Sequence, residues 1–361
     1  MTAELDTDTG ESGTGPHMVA LQRTDVVPSA SWTIVMTLGV VSLDMLAVHQ
    51  TVLSAILLWF AVAVWLLLVV VLGAPLLYRR GRFRREAGLP VTLTSVAASA
   101  VLGARFAMQD HRVIGAVLLG VAAIGWAVLL VPVLRHWKTP TVGVSFVLAV
   151  ATQGLALVAA LLAVAYHARW LLTGAAFLVL LGLAFYVFTL ARFDLRQLID
   201  GRGDHWIAGG ALAISALSLG LVTEAASALG RLGYLHQLLR VGTLVLWCVA
   251  MAWLVPLIVS EVARPRLAYD VRRWATVFPL GMYAACSFTV GRVAGIPGIV
   301  RFGQVETWVA LGATVLALAG LVRSGWRAWR PPEAAGGRGA CSASSPAQCS
   351  PGDPPPRTMT S

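Results

Sequence analysis

An all-α integral membrane protein, with ten transmembrane helices paired as five helical hairpins, is the fold this sequence predicts. Three observations lead there. The chain is 58% hydrophobic and only 12% charged, with a mean hydropathy of +0.77, whereas about a quarter of residues are charged in a soluble domain. Its apolar stretches run roughly 17 to 27 residues, long enough to cross about 30 Å of hydrocarbon as helices. After every second stretch comes a basic cluster, beginning at Arg79, Arg135, Arg192, Arg264 and Arg323.

Each element follows from an apolar run and its polar borders. Residues 1–27 are polar and mildly acidic, lack apolar periodicity, and carry no basic segment leading into a short apolar core and cleavage site, so they read as a disordered tail. The predicted spans are Pro28–Ala47, Val52–Tyr78, Val91–Ala107, Val113–Leu134 and Val142–Ala165, then Trp170–Leu190, Trp206–Val222, Leu238–Val259, Trp274–Val290 and Val305–Leu321. Together they make one transmembrane domain over residues 28–323. Residues 324–361, rich in Pro, Gly and Ser beyond Pro331, read as a second disordered tail.

Charge sets the orientation. Seventeen Lys and Arg fall in the loops after even helices and just past the tenth, against five (Arg112, Arg169, Arg231, Arg292, Arg301) in the opposite loops. By the positive-inside rule both termini are cytoplasmic and the host is the cell membrane. The same distribution explains the net charge of +10 without nucleic acid as a partner. Tryptophans near segment ends, Trp32, Trp137, Trp170, Trp206, Trp274, Trp308 and Trp326, suit an aromatic belt at the interface.

Odd and even helices differ in kind. The odd ones carry small and polar residues: Thr37, Gly39 and Ser42; Ser95, Ser99 and Gly103; Thr152, Gln153 and Gly154; Gly209, Gly210, Ser215 and Ser218; Pro279, Gly281, Ser287 and Thr289. Several even ones, such as the Leu- and Val-rich second, read as lipid-facing. Small residues allow close backbone approach in a bilayer, and hydroxyls and amides need partners there. Five inner helices inside a ring of five outer ones meet both demands, although any single Gly or Ser is equally explained by helix packing.

Enzyme chemistry is not indicated. The seven histidines lie in tails, loops or helix ends, and the sequence has no zinc-protease motif, nucleophile elbow or phosphate-binding Gly-rich loop. Four cysteines, Cys248, Cys286, Cys341 and Cys349, have neither disulfide nor metal spacing, so no catalytic residue, metal or cofactor is expected. The acids Asp44, Glu224 and Glu261 stand toward helix ends and read as interfacial. Arg105 and Arg292, at the outer ends of odd helices, would concentrate anions at a pore mouth or join Asp44 and Glu224 in a surface ion-pair network. The most specific local feature is Phe278-Pro279: proline frees the Ala275 carbonyl and bends the helix, placing Phe278 either as a packing ring or as a plug that bending would swing.

The segment Leu267–Thr289, LAYDVRRWATVFPLGMYAACSFT, resembles the tellurite-resistance and C4-dicarboxylate transporter family, within the voltage-dependent anion channel superfamily that includes slow-type anion channels, malate permeases and sulfite exporters. Supporting segments are WTIVMTLGVVS from Trp32, VATQGLALVAALLA from Val150 and FDLRQLIDGRGDHWIAGGALAISAL from Phe193. The resemblance spans residues 28–323. It implies ten helices with five lining a central pore, assembly as a homotrimer with one pore per subunit, small inorganic or organic anions as permeants, and a gating phenylalanine that falls on Phe278. Two departures are visible. The first-helix motif V-M-A-T-G reads Val35, Met36, Thr37, Leu38, Gly39, and only the ninth of the odd helices has an internal proline. Inner-helix bends would then rest on Gly39, Gly103, Gly154 and Gly209 or Gly210. The function expected is anion passage through a phenylalanine-gated pore. The alternatives are a proton-coupled C4-dicarboxylate or sulfite exporter and, more remotely, a membrane scaffold or embedded enzyme.

Overall fold

The computed structural model describes residues 31–73, 87–200, 203–230, 235–265 and 269–329. The tail expected over residues 1–27, the arginines from Arg79 to Arg85, the cysteines Cys341 and Cys349, and the chain from residue 330 onward lie outside these. Among the described residues there is no strand, and a single parallel bridge joins Thr141 to Phe193. The chain divides into one unit to Leu321 and a second from Val322, of which the described part is the end of the last helix.

The helices are α1 (Trp32–Ala47), α2 (Thr51–Leu68, prolonged by a π-helical turn, Val69–Gly73), α3 (Thr94–Ala107), α4 (Arg112–Arg135) and α5 (Val147–Ala165). They continue with α6 (Arg169–Leu190), α7 (Trp206–Ala228), α8 (Leu235–Ala263), α9 (Trp274–Ala294) and α10 (Pro297–Trp329), with a single helical turn, Arg196–Asp200, before α7. Short 3-10 turns lead into α3, α5 and α9. Nine of these segments are long and apolar enough to cross a bilayer, and α1 is a shorter apolar helix of 16 residues. In hydrocarbon a helix satisfies its own backbone groups, which is why apolar runs of this length take this form.

Both boundaries of the last helix moved for local reasons. The last helix begins at Pro297, eight residues before the expected Val305, because Arg301, Gln304 and Glu306 depress hydropathy without breaking a helix. Gly295 in the left-handed conformation ends α9, its successor Ile296 donating to the Gly291 carbonyl at 2.9 Å, and Pro297 opens α10. At its far end α10 runs to Trp329, past the expected boundary at 323, since no residue before Pro331 opposes a helix.

Burial separates the helices by parity. In α3, α5, α7 and α9, 78 to 94% of the membrane-spanning window is buried, against 17 to 33% in the even helices. The odd helices pack in a closed sequence, α1 on α3, α3 on α5, α5 on α7, α7 on α9 and α9 back on α1. Each of α2, α4, α6 and α8 packs mainly on the odd helix before it and secondarily on the one after. Three indoles tie that second contact: Trp65 of α2 donates to Ser99 of α3 (3.0 Å), Trp126 of α4 to Thr152 of α5 (2.9 Å) and Trp247 of α8 to Ser287 of α9 (2.9 Å). An indole N–H in an apolar layer needs such an acceptor.

The aromatic-belt expectation holds unevenly. Trp170 and Trp308, on even helices, are exposed as an interfacial anchor would be. Trp32, Trp206 and Trp274 are buried, because they open odd helices whose sides are covered by neighbours and leave no lipid-facing position.

Candidate functional site: the interior face of α9

The ninth helix touches more of the molecule than its sequence suggests, and its contacts define which face looks inward. At about 100° per residue, Pro279 stands about 100° around the helix from Phe278, and a Cβ on Gly210 of α7 would meet its ring at 3.0 Å. Tyr283, about 140° around, lies against Gly209 of α7 and donates to the Ala250 carbonyl of α8 at 3.2 Å. Ser287, bonded by Trp247 of α8, comes at about 180°. Gly291 and Phe288, against Val300 and Gly303 of α10, follow at about 220° and 280°, and Gly281, against Val40 of α1, at about 300°. Phe278 lies between the α1-facing and α7-facing sides of α9, away from α8 and α10, and is 2% exposed. Thr289, about 20° from it around the helix but eleven residues along, lies against Gly220 of α7.

The glycines expected at bends each sit in an uninterrupted α-helix, at a close approach between helices. A Cβ on Gly39 would lie 2.6 Å from Val101 of α3, and one on Gly154 3.1 Å from Ala100 of α3. Gly103 faces Leu118 and Gly115 of α4, with Val158 of α5 beside it. Gly209 makes room for the Tyr283 hydroxyl and for Leu257 of α8, each closer than 3 Å to where a Cβ would stand. The small residues of the odd helices are thus points where neighbours enter.

The charged residues fall differently from their sequence reading. Arg105 does not stand at an open mouth: it is 0% exposed, enclosed among α1, α2 and α3. Its Nε donates to Ser42 Oγ (2.9 Å) and a terminal nitrogen to Ser54 Oγ (2.7 Å). Those serines also lock α1 to α2, Ser42 donating to the Ser54 carbonyl (2.7 Å) and Ser54 to the Ser42 carbonyl (2.6 Å). Length explains the difference, since an arginine one turn from a helix end can fold its guanidinium back onto hydroxyls. Arg292 remains half exposed and pairs with Glu224 at 3.0 Å, the ion-pair alternative for that residue. Glu261 pairs with Arg273 at 3.2 Å.

Asp44 corrects the interfacial reading of the acids, being 1% exposed at the α1–α9 contact. Sequence reasoning passed over Glu306, a buried acid of α10. Its signal was a carboxylate in the second position of an otherwise apolar predicted span. Gln153, one of the polar residues that mark α5 as an inner helix, donates its amide to the Val179 carbonyl of α6 (3.1 Å) while its own backbone carbonyl accepts from Ser218 of α7 (3.0 Å). Among the described residues no group of His, Cys, Asp and Glu is arranged to hold a metal ion.

A membrane protein whose alternate helices form a closed, buried ring is therefore the class defined by fold and site. The family model described as voltage-dependent anion channel matches residues 27–322, and the chain belongs to that family. It is also similar to an uncharacterized membrane protein of Mycobacterium tuberculosis, in strain CDC 1551 / Oshkosh and again in strain H37Rv, with 31% identity over 124 residues. That stretch is 33% of this chain and 62% of the relative, so the match spans less than two thirds of the relative's length.

Proposed function

We propose that the protein passes small anions across the cell membrane through the middle of the odd-helix ring, and that Phe278 is the gate. The observation that carries this is the position of Phe278, between the α1-facing and α7-facing sides of α9, away from α8 and α10, and almost wholly buried. On this reading the ring of Phe278 fills the interior at that level and closes it.

Opening requires α9 to move its ring aside. Pro279 provides the place, because the missing N–H weakens the helix one residue past the gate. Gly210, whose absent side chain receives the proline, leaves the contact free to slide; Gly39, Gly154 and Gly209 do the same where other inner helices meet, and Gly103 where α3 meets α4 and α5. Selectivity in such a passage rests on dehydration, radius and the charge near its ends. Arg105, a buried cation held by two hydroxyls, and Arg292, near the end of α9, bias that field toward anions. Family membership supports the anion class; homotrimeric assembly and cytoplasmic termini complete the reading.

The test is flux from proteoliposomes holding purified protein, wild type against Phe278→Ala, with nitrate, chloride, sulfite and malate in turn. Much larger flux in the variant, without a proton gradient, is the expected result, and the order of ions names the permeant class. Equal flux in a folded variant would reduce Phe278 to packing. Flux seen only under an imposed proton gradient would favour a coupled exporter of C4-dicarboxylates or sulfite.

A further inference from the structure

Asp44 is left without a task by the channel reading. Neither of its carboxyl oxygens meets a hydrogen-bond donor among the described residues. Oδ2 points at α9 where that helix lacks a side chain: a Cβ on Gly281 would lie 3.3 Å from it and 2.8 Å from Val40 Cγ1. The seam between α1 and α9 therefore closes directly over this carboxyl, three residues along α9 from the gate.

Among the described residues no counter-ion faces it. The described α2 carries no charged residue, and the one charge on α3, Arg105, is turned to Ser42 and Ser54. Ser42 lies about 160° around α1 from Asp44. The titratable groups near it are Cys286 of α9 and Glu306 of α10, the latter a second buried acid. A bare carboxylate is costly in such a place, and a second acid adds to the cost, whereas a neutral carboxylic acid is tolerated.

We propose that Asp44 is a proton-binding site linked to parting of α1 from α9, neutral while the seam is closed and ionised once water enters it and takes the proton. The inference rests on the channel reading. Its sign follows from the two states: acid holds the seam shut and rising pH favours opening. One linked proton changes the open population by up to about tenfold per pH unit across the window where only one state has lost it.

The experiment measures nitrate flux from proteoliposomes at equal pH inside and out, stepped from acid to mildly alkaline, alongside infrared spectra of the same samples. Wild type should show flux rising with pH and a carboxylic-acid carbonyl band. Asp44→Asn should lose the part of that band that Glu306→Gln leaves in place, and give low flux indifferent to pH. Gly281→Ala, which props the seam at Val40, should keep the rise but move it toward lower pH. A wild-type pH slope retained in Asp44→Asn would overturn the proposal, as would a slope abolished by Glu306→Gln alone. Absence of flux in wild type and Phe278→Ala alike would sink the channel reading, while the carbonyl band, if also missing at acid pH, would separately sink the proton site.

Discussion

Arg105 shows what a single side chain costs and returns in this bundle. A guanidinium removed from water needs its N–H groups satisfied, and two of its nitrogens are met by Ser42 and Ser54. Replacing Ser54 with Ala deprives Arg105 of one acceptor and breaks one of the two reciprocal α1–α2 bonds. A buried donor left unmet costs about 1 to 3 kcal/mol, so Ser54→Ala should lower the unfolding temperature in detergent clearly. Arg292 is the contrasting case. Its pair with Glu224 is half exposed, and such pairs contribute at most about 1 kcal/mol. Arg292→Ala should leave thermal stability within error. If the side chain biases the local field, anion flux through the variant falls at low ionic strength and matches wild type at high salt, where the Debye length shrinks to about 3 Å. A deficit independent of salt would assign Arg292 a structural role instead.

At the scale of helices, the close approaches carry the prediction. A methyl on Gly209 would meet the Tyr283 hydroxyl at 2.5 Å and Leu257 at 2.6 Å, both side chains fixed by packing between α7, α8 and α9. Overpacking of this kind costs about 1 to 3 kcal/mol, and Gly209→Ala should melt earlier than wild type. Gly312, on α10, has no neighbouring atom within 4 Å of the place a methyl would take, so Gly312→Ala should melt no earlier, since alanine is the better helix former. Thermal unfolding of both variants in one detergent decides it; equal losses would mean that proximity at Gly209 has been relieved by backbone movement. Helix existence was legible from apolar length, as α4 and α6 illustrate, each ending within a residue of its expected limits. Their neighbours were not, because hydropathy measures how apolar a run is and carries no azimuth. Trp65, Trp126 and Trp247, which join α2, α4 and α8 to the next odd helix, look in sequence like any other apolar residues of a lipid-facing span. For the same reason Asp44 read as interfacial: its distance from the helix end was visible, but the covering face of α9 was supplied by Gly281, far along the chain.

For the whole molecule the question is which end faces the cytoplasm. Burial and packing are unchanged if the bundle is turned over in the membrane, so orientation has to come from the distribution of Lys and Arg, and here the sequence was the more informative source. Positive charge resists transfer across the bilayer during insertion, and the bias counts most in short loops. With the basic residues concentrated after even helices, the α4–α5 connection should be cytoplasmic and the α3–α4 connection external. Both offer exposed positions, Lys138 and Gln109 respectively. In a protein whose four cysteines are replaced, Gln109→Cys should react with a membrane-impermeant maleimide on intact cells. Lys138→Cys should react only after permeabilisation. The reverse pattern would invert the molecule, placing Asp44 and Arg292, which share the end of the bundle marked by the α3–α4 side, toward the cytoplasm. The proton that Asp44 exchanges would then come from inside the cell, and a gate linked to it would respond to cytoplasmic rather than external pH.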